Sequence, residues 1–302
     1  MTPGPRLEVA IVGGGPAIRL PSCDQVGNSP GWTSMARALR SPVVGAAVDA
    51  YDRHVGRYGA ELAREMVRVT GVRAGQRALD VGCGTGALTV MLAEVLGAGN
   101  VAAIDPSERF VATCRDRAPG ADLHVGIGEE LPWSDAEFDA VLAQLVVYGM
   151  NDARRGAAEM RRVARPGGAV SACIWDFEGG MPLLRAVWDS ALDVDAELAR
   201  SFGADKPDPF SRPHELEELW RTTGFEGVEL GQVDAGADYA DFDDLWYPFA
   251  NGVGNLGRFH EALDEAGRKR FKHGAAERLG APSGPFRLTA RAWYARGTVP
   301  AG

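Results

Sequence analysis

Short apolar runs alternate with longer amphipathic stretches along most of the 302-residue chain. Between these runs, apolar residues return at the three- and four-residue spacing of helices. Strands that alternate with helices in this way favour parallel pairing, with helices covering both faces of the sheet. The pattern therefore predicts an α/β fold built on a doubly wound sheet. The strand-like runs lie near residues 77–82, 100–104, 121–125, 138–145 and 168–175.

Two further strand-like runs, near 227–233 and 286–296, flank a long insertion at roughly 241–284. The insertion is aromatic in its first part (YADFDDLWYPFANGVG) and charged in its second. A connection this long between two strands usually carries a function. Because ligands of such sheets bind beyond the carboxyl ends of the strands, we expect the insertion to form a lid there.

The first of two glycine-rich segments, residues 8–18, reads EVAIVGGGPAI. A dinucleotide loop needs G-x-G-x-x-G/A between a strand and a helix. Here Ile18 takes the third glycine position, and Pro21 falls where the helix should continue. The acid that would hold a ribose about 20 residues later is missing as well. We therefore predict that residues 1–43 form a weakly ordered extension and that residues 44–302 form one domain.

The second glycine-rich segment, RALDVGCGTGALTVMLAEVLG, combines a short strand, a glycine loop and a helix. The next strand ends on Asp105, where a carboxylate accepts hydrogen bonds from ribose hydroxyls in such βαβ units. The loop satisfies the nicotinamide fingerprint too, so the βαβ unit alone does not identify the nucleotide. Asp80 suits a cationic amino-acid group, and the extra glycine at Gly86 suits a compact methionine–ribose unit. Both features favour S-adenosylmethionine over NAD.

Composition narrows the class of partner. The formal net charge of −9 and the pI near 5.2 argue against nucleic acid, whose binding proteins usually present a basic face. The four cysteines are widely spaced, and with the five histidines they predict neither a metal site nor a disulfide framework. No apolar run approaches the ~20 residues that span a bilayer, and no secretory signal is seen. We therefore expect a cytoplasmic protein without a membrane partner.

Six segments from Tyr51 onward carry a family resemblance: YDRHVGRYG, LDVGCGTGAL, AAIDPSERFVATCRDR, HVGIGEELPWSDAEFDAVLAQLVVYGM, AEMRRVARPGG and VSACIWD. Together they resemble the class I S-adenosylmethionine-dependent methyltransferases, close to the group that includes the ubiquinone/menaquinone biosynthesis C-methyltransferases. The resemblance implies a Rossmann-like, seven-stranded, mostly parallel sheet with a helical lid insertion between its last two strands. It also implies methyl transfer from S-adenosylmethionine to a small-molecule acceptor by in-line displacement. It says little about the acceptor.

The resemblance also assigns cofactor-binding roles to residues at the carboxyl ends of the predicted strands. The glycine loop would lie against the methionine and ribose portions, with Asp80 near the amino group and Asp105 on the ribose hydroxyls. Two later loops would meet the adenine, and Gln144 would lie beside the sulfonium. The implied cofactor-binding residues in these elements are Asp80, Gly82, Cys83, Gly84, Gly86, Asp105, Pro106, Ser107, Gly128, Glu129 and Gln144.

One position departs from the family pattern, because Ile127 stands where family members often carry an adenine-binding aspartate. Either Glu129 binds the adenine amino group instead, or backbone and apolar contacts hold the ring alone. Upstream of the core, Arg57 would pair with the methionine carboxylate. The alternative for Arg57 is a solvated helix face.

The sequence says less about the residues that bind the acceptor than about those that bind the cofactor. A general base is needed only for a neutral hydroxyl or a protonated amine. A surface or packing role is favoured for each candidate base, because nothing in the sequence pairs it with an orienting carboxylate. For the aromatic residues of the insertion, ordinary core packing is the alternative to an acceptor pocket. The candidate bases are His54, Tyr148 and His260, and the candidate pocket residues are Tyr51, Tyr148, Trp175, Trp246 and Phe249.

Two other functions stay open. An NAD-dependent oxidoreductase would use the same βαβ unit, but a Tyr-x-x-x-Lys motif is absent, since the lysines are Lys206, Lys269 and Lys272. A non-catalytic S-adenosylmethionine-binding protein would share every cofactor motif. Neither the acceptor nor the atom that receives the methyl group follows from the sequence.

Overall fold

A computed structural model gives the architecture of most of the chain. Most of the predicted extension and Tyr51 lie outside the described residues. Within the extension, strand β1 (Glu8–Val9) pairs antiparallel with strand β2 (Ile18–Arg19) in a small sheet of its own. A strand rather than a helix therefore follows the first glycine-rich segment, unlike in a dinucleotide-binding loop. The described residues are 52–205, 210, 212–280 and 283–301, and the backbone of 8–9 and 18–19.

A seven-stranded sheet forms the centre of the domain, in the order β5-β4-β3-β6-β7-β9-β8. Neighbouring strands from β5 to β7 pair in parallel, whereas β9 pairs antiparallel with both β7 and β8. The predicted α/β fold with a mostly parallel sheet is thus confirmed. Its strands are β3 (Ala78–Val81), β4 (Val101–Asp105), β5 (Asp122–Val125), β6 (Phe138–Gln144), β7 (Ala164–Trp175), β8 (Glu226–Tyr239) and β9 (Phe286–Thr298).

Helices cover both faces of this sheet. The helices are α1 (Gly59–Thr70), α2 (Ala87–Leu96), α3 (Glu108–Arg117), α4 (Ala153–Val163), α5 (Pro182–Val194), α6 (Ala196–Ser201), α7 (Pro213–Thr223), α8 (Phe242–Ala250), α9 (Gly254–Ala262) and α10 (Glu265–Arg278). Helices α1, α2 and α5 bury their apolar sides in one core cluster, and α4 and α7 bury theirs in the cluster on the opposite face. None of the helices in the described part of the chain is long and apolar enough to cross a membrane.

The insertion between β8 and β9 folds as helices α8 to α10, as predicted. Its aromatic residues lie inside rather than on a pocket wall, because they recur at the three- and four-residue spacing that places them on one face of α8. Trp246 is 3% exposed and Phe249 is 1% exposed. The Trp246 ring packs edge-on against Phe271 of α10, with 4.9 Å between the ring centroids. The prediction that Trp246 and Phe249 line an acceptor pocket differs from this structure, in which both belong to the core.

Candidate active site at the carboxyl edge of the sheet

The glycine loop after β3 takes a conformation that its glycines permit. Gly82 has φ 76° and Gly86 has φ 98°, both in the left-handed region. A Cβ atom on Gly82 would lie 2.4 Å from Cγ2 of Val146, and one on Gly86 would lie 2.9 Å from Sγ of Cys114. The Gly82 amide also donates to the Ile104 carbonyl over 2.8 Å. The loop is therefore held tightly between β4 and the turn that follows β6.

Asp105, the last residue of β4, joins this loop to the next helix. Its Oδ2 accepts a hydrogen bond from the Gly84 amide at 3.0 Å, and its Oδ1 accepts one from the Ser107 amide at 2.8 Å. The Ser107 hydroxyl in turn caps α3 by accepting from the Phe110 amide. The carboxylate thus organises the two backbone turns that flank the site, with the side chain 8% exposed.

Asp80, near the end of β3, is a fully buried carboxyl group with one satisfied oxygen. Its Oδ2 accepts from the Thr89 hydroxyl at 2.7 Å, whereas Oδ1 has no hydrogen-bond partner among the described residues. Burial raises the pKa of Asp80 to about 8, although the hydrogen bond from Thr89 opposes the shift. Buried polar atoms are seldom left unpaired. A cation placed against Oδ1 would satisfy this atom.

These elements line one pocket at the carboxyl edge of the sheet, as the topology of such sheets favours. Its wall includes Asp80, the loop residues 82–85 and Gln144 at the end of β6. Gly56 and Gly59 close its other side, just before and at the start of α1. A glycine-lined cradle beside an unpaired buried carboxylate oxygen suits a nucleotide that carries an amino-acid group.

Comparison with known proteins agrees with this geometry. A family model described as a methyltransferase domain matches residues 79–172. A demethylmenaquinone methyltransferase of Lactobacillus johnsonii is 28% identical over 182 residues, which are 55% of this chain and 74% of that protein. One of Listeria welshimeri is 29% identical over 195 residues, covering 59% and 82%. The similarity therefore spans most of the length of these relatives.

Solved structures show the same architecture. A candidate type II methyltransferase from Anaeromyxobacter dehalogenans has a TM-score of 0.59 at 25% identity, covering 82% of this chain and 98% of that one. The phosphoethanolamine N-methyltransferase 2 of Haemonchus contortus, solved with S-adenosylmethionine, has a TM-score of 0.53 at 15% identity, covering 86% and 58%. At that identity the second likeness concerns the fold alone. The chain is a class I S-adenosylmethionine-dependent methyltransferase.

S-adenosylmethionine is the cofactor of this methyltransferase, and the pocket fits it in two respects. The unpaired Oδ1 of Asp80 offers a negative partner to an ammonium group, and the glycine loop lines the pocket directly beside Asp80. Among the described residues, no group of histidine, cysteine, aspartate and glutamate side chains is arranged to hold a metal ion.

The loop whose backbone is predicted to meet the adenine edge contains Gly128 and Glu129. The Glu129 carboxylate is 6% exposed, and its Oε1 accepts hydrogen bonds from the amides of Asn151 and Asp152. It therefore fixes the start of α4 and differs from the alternative in which it binds an adenine amino group. Gly128 packs closely, because a Cβ atom there would lie 2.7 Å from Cε of Met150. With the Glu129 side chain engaged elsewhere, backbone and apolar groups are left to contact the adenine ring.

Arg57 also differs from its predicted role. Its guanidinium donates to Oδ1 of Asp244 in α8 and, over 2.8 Å, to the carbonyl of Asp238 in β8. The same group lies 4.9 Å from the ring centroid of Tyr239. Arg57 thus joins the segment before α1 to the insertion instead of facing a ligand carboxylate.

The three candidate bases do not converge. His54 is 8% exposed and packs edge-on against Phe249, and burial lowers its pKa to about 4. His260 lies against Trp246, and burial together with nearby cations lowers its pKa as well. Tyr148 packs in the cluster on the opposite face of the sheet.

Sequence reasoning missed Leu145, which lines the pocket, and Asp52, which supports the glycine loop. Asp52 fastens the segment before α1 to the glycine loop, because its Oδ1 accepts from the Thr85 hydroxyl at 2.8 Å and its Oδ2 pairs with Arg117 at 2.6 Å. Leu145 has φ 60° and lines the pocket directly after Gln144. Asp52 lies in a motif that carried the resemblance, so an acid there was a usable signal. A leucine at positive φ, in contrast, leaves no signal in the sequence that identifies it as a pocket residue.

Proposed function

We propose that this methyltransferase transfers the methyl group to a small, ring-bearing acceptor held at the carboxyl ends of β6 and β7, next to the cofactor pocket. The observation that carries the cofactor part of this proposal is the unpaired, buried Oδ1 of Asp80 beside the glycine loop. It favours a ligand with a cationic amino-acid group, which NAD lacks. S-adenosylmethionine supplies a methyl group on a sulfonium, whose sulfur would leave as a neutral thioether that needs no proton.

The residues that would hold the cofactor follow from their contacts. Oδ1 of Asp80 would accept from the ammonium group, and the glycine loop would meet the methionine and ribose portions with its backbone. Asp105 orders this loop through Gly84, and its carboxylate would also accept from ribose hydroxyls when the cofactor is bound. Ser107 and Gly128 would border the adenine.

The contribution of the protein to the transfer is alignment and exclusion of water. Gly56 and Gly59 line the pocket, and the Gln144 amide donates to the Gly59 carbonyl over 3.2 Å. Holding two reactants in line lowers the barrier by as much as ~7–11 kcal/mol. With a pKa of about 4, His54 would be a weak base near neutral pH, so alignment rather than proton abstraction by His54 is the proposed source of rate.

The acceptor class follows from chemistry and from the relatives. Trp175 and Tyr58 give the region beside Gln144 an apolar, aromatic character, with 5.6 Å between their ring centroids. The names of the relatives refer to demethylmenaquinone, which carries a flat bicyclic ring. We therefore propose a flat, mainly apolar ring as the acceptor, with a reduced naphthoquinone as the first compound to test.

Two measurements test this function. Isothermal titration with S-adenosylhomocysteine and with NAD should show binding of the first only, and Gly82→Val should abolish it because of Val146. Leu230→Val on β8, a half-buried residue four strands away from β3 in the sheet, is the matched control. Turnover with a labelled methyl group and 1,4-naphthohydroquinone should then yield labelled, solvent-extractable product. Binding of NAD would contradict the cofactor assignment, and binding of S-adenosylhomocysteine without turnover of any ring compound would favour the non-catalytic alternative.

A further inference from the structure

Besides Oδ1 of Asp80, two buried polar atoms at the carboxyl ends of β6 and β7 have no hydrogen-bond partner among the described residues. They are Nε1 of Trp175 and Oε1 of Gln144. A buried indole N–H normally finds a partner, and an unpaired buried donor or acceptor is costly. Trp175 is completely buried, whereas the comparable Trp220 donates its indole N–H to the Val170 carbonyl over 3.1 Å. The unpaired indole N–H therefore results from the surroundings of Trp175 and is not shared by Trp220.

The two atoms belong to side chains on the same face of adjacent strands. Gln144, the last residue of β6, pairs with Cys173 of β7. Trp175 lies two residues beyond Cys173 and so projects from the same face. Residues two apart along a strand are separated by about 6.6 Å, and neighbouring strands lie about 4.8 Å apart. The two side chains are diagonal neighbours at the carboxyl edge of the sheet.

Both side chains contact the chain at the start of α1, where Gly59 lines the pocket. The Gln144 amide is oriented by its Nε2, which donates to the Gly59 carbonyl and leaves Oε1 unpaired beside the pocket that Gln144 lines. The Trp175 ring packs edge-on against Tyr58, the residue before Gly59. An unpaired acceptor on β6 therefore lies in the pocket wall, and an unpaired donor on the adjacent strand β7 lies behind it, against the residue before Gly59.

We propose that Trp175 and Gln144 together bind one ring hydroxyl of the methyl acceptor. The hydroxyl oxygen would accept from Nε1–H of Trp175, and the hydroxyl proton would be donated to Oε1 of Gln144. A hydroxyl matches this pair because it both accepts and donates, whereas an ether or a ketone satisfies Trp175 alone. The inference rests on the proposed function and narrows its acceptor to flat rings that carry a neutral hydroxyl. Trp175 would thereby set specificity as well as position.

The test compares two probes on the complex with S-adenosylhomocysteine. 1-Naphthol presents a hydroxyl, and 1-methoxynaphthalene has nearly the same shape but cannot donate. We expect the wild-type complex to prefer 1-naphthol by at least about tenfold, since a site built for a hydroxyl discriminates against analogues that lack it. Trp175→Phe should reduce this preference to less than about threefold by removing the donor. Trp220→Phe, which changes a buried tryptophan of the opposite core, should retain it. The affinity for S-adenosylhomocysteine should stay within threefold in both variants.

A second measurement uses the wild-type protein alone, so it does not depend on how a variant folds. In ¹⁵N-labelled protein, the indole N–H resonance of Trp175 should move downfield when 1-naphthol is added and should move less with 1-methoxynaphthalene. An unmoved resonance, a preference that survives Trp175→Phe, or failure of the wild-type complex to bind 1-naphthol would each overturn the proposal. Such a failure leaves the proposed function standing if S-adenosylhomocysteine still binds and another ring compound is methylated.

Discussion

The Thr89 hydroxyl donates a 2.7 Å hydrogen bond to Oδ2 of Asp80, and Oδ1 of the same buried carboxyl group has no partner among the described residues. Burial is the main cause that raises the pKa of this group to about 8, and the nearby Cys114 and Asp105 add to it. Near neutral pH the carboxyl group is therefore largely protonated until a cation approaches Oδ1. Cofactor binding and the protonation of Asp80 are expected to be coupled.

We predict that the affinity for S-adenosylhomocysteine rises with pH up to about 8. An ammonium group favours the carboxylate, so binding below the pKa of Asp80 releases a proton. The gain is at most about tenfold per pH unit, and it ends near the pKa of Asp80, above which the carboxyl group is ionised without the ligand. Asp80→Asn should lower the affinity at pH 8 by ~1.5–3 kcal/mol and remove most of the rise. Titration calorimetry in buffers of different ionisation enthalpy measures both effects. A wild-type affinity that does not change between pH 6 and 8 would contradict the coupling.

The same carboxyl group should make the ligand-free protein less stable as pH rises. Its pKa is about 8 in the folded state against 3.8 for an ordinary aspartate, so the folded state binds more protons between these values. The free energy of unfolding should therefore decrease from about pH 4 to about pH 8. Asp80→Asn, which keeps an oxygen for Thr89, should flatten this decrease in urea melts. An equal slope in both proteins would show that other groups dominate.

The site was predictable from sequence where its geometry is local. The glycine loop and Asp105 lie within a single βαβ unit, in which spacing along the chain fixes spacing in the fold. The roles of Arg57 and Glu129 were not predictable in this way. The partner of Arg57 is 187 residues away in sequence, and Glu129 is taken by amides of a loop 22 and 23 residues later. Packing decides which partner pairs with a charged side chain, and a sequence motif does not encode this packing.

Asp105 is predicted to matter for both stability and cofactor affinity. Asp105→Ala leaves the amides of Gly84 and Ser107 without their acceptors, which should cost about 1–3 kcal/mol of unfolding free energy. Loss of the acceptor for ribose hydroxyls should weaken S-adenosylhomocysteine binding by ~1.5–3 kcal/mol. Asp116→Ala, on the exposed side of α3, is the control with the same change in charge. If folded Asp105→Ala binds the ligand as tightly as the control, the ribose assignment is wrong.

Trp246 is predicted to act through stability. Its ring contacts Phe242, Phe249 and Phe271, so Trp246→Ala should lower the free energy of unfolding by about 3–5 kcal/mol. Tyr247→Ala, one position along α8, should cost clearly less, since that ring is half-buried beneath Arg53. Chemical denaturation compares the two variants. A Trp246→Ala protein of wild-type stability that had lost only acceptor turnover would return this residue to the acceptor pocket.

The spacing of the aromatic residues in the insertion predicts their burial, whereas their number alone does not. Phe242, Trp246 and Phe249 recur at intervals of four and three, which identifies the buried face of a helix. Aromatic content alone had suggested a lid lining. The unpaired atoms of Trp175 and Gln144, in contrast, follow only from the packing around them.

Arg57 is predicted to stabilise the fold through Asp244 rather than to bind the ligand carboxylate. In the structure its guanidinium pairs with Asp244 and lies outside the set of residues that line the pocket. Arg57→Lys loses the planar two-nitrogen geometry that reaches both Asp244 and the Asp238 carbonyl. We expect it to lower stability by about 1 kcal/mol, and Asp244→Asn to do nearly the same, with little further loss in the double variant. Binding of S-adenosylhomocysteine and of 5′-methylthioadenosine, which lacks the amino-acid portion, should weaken by the same factor in Arg57→Lys. If only S-adenosylhomocysteine binds more weakly, Arg57 leaves Asp244 to pair with the ligand carboxylate.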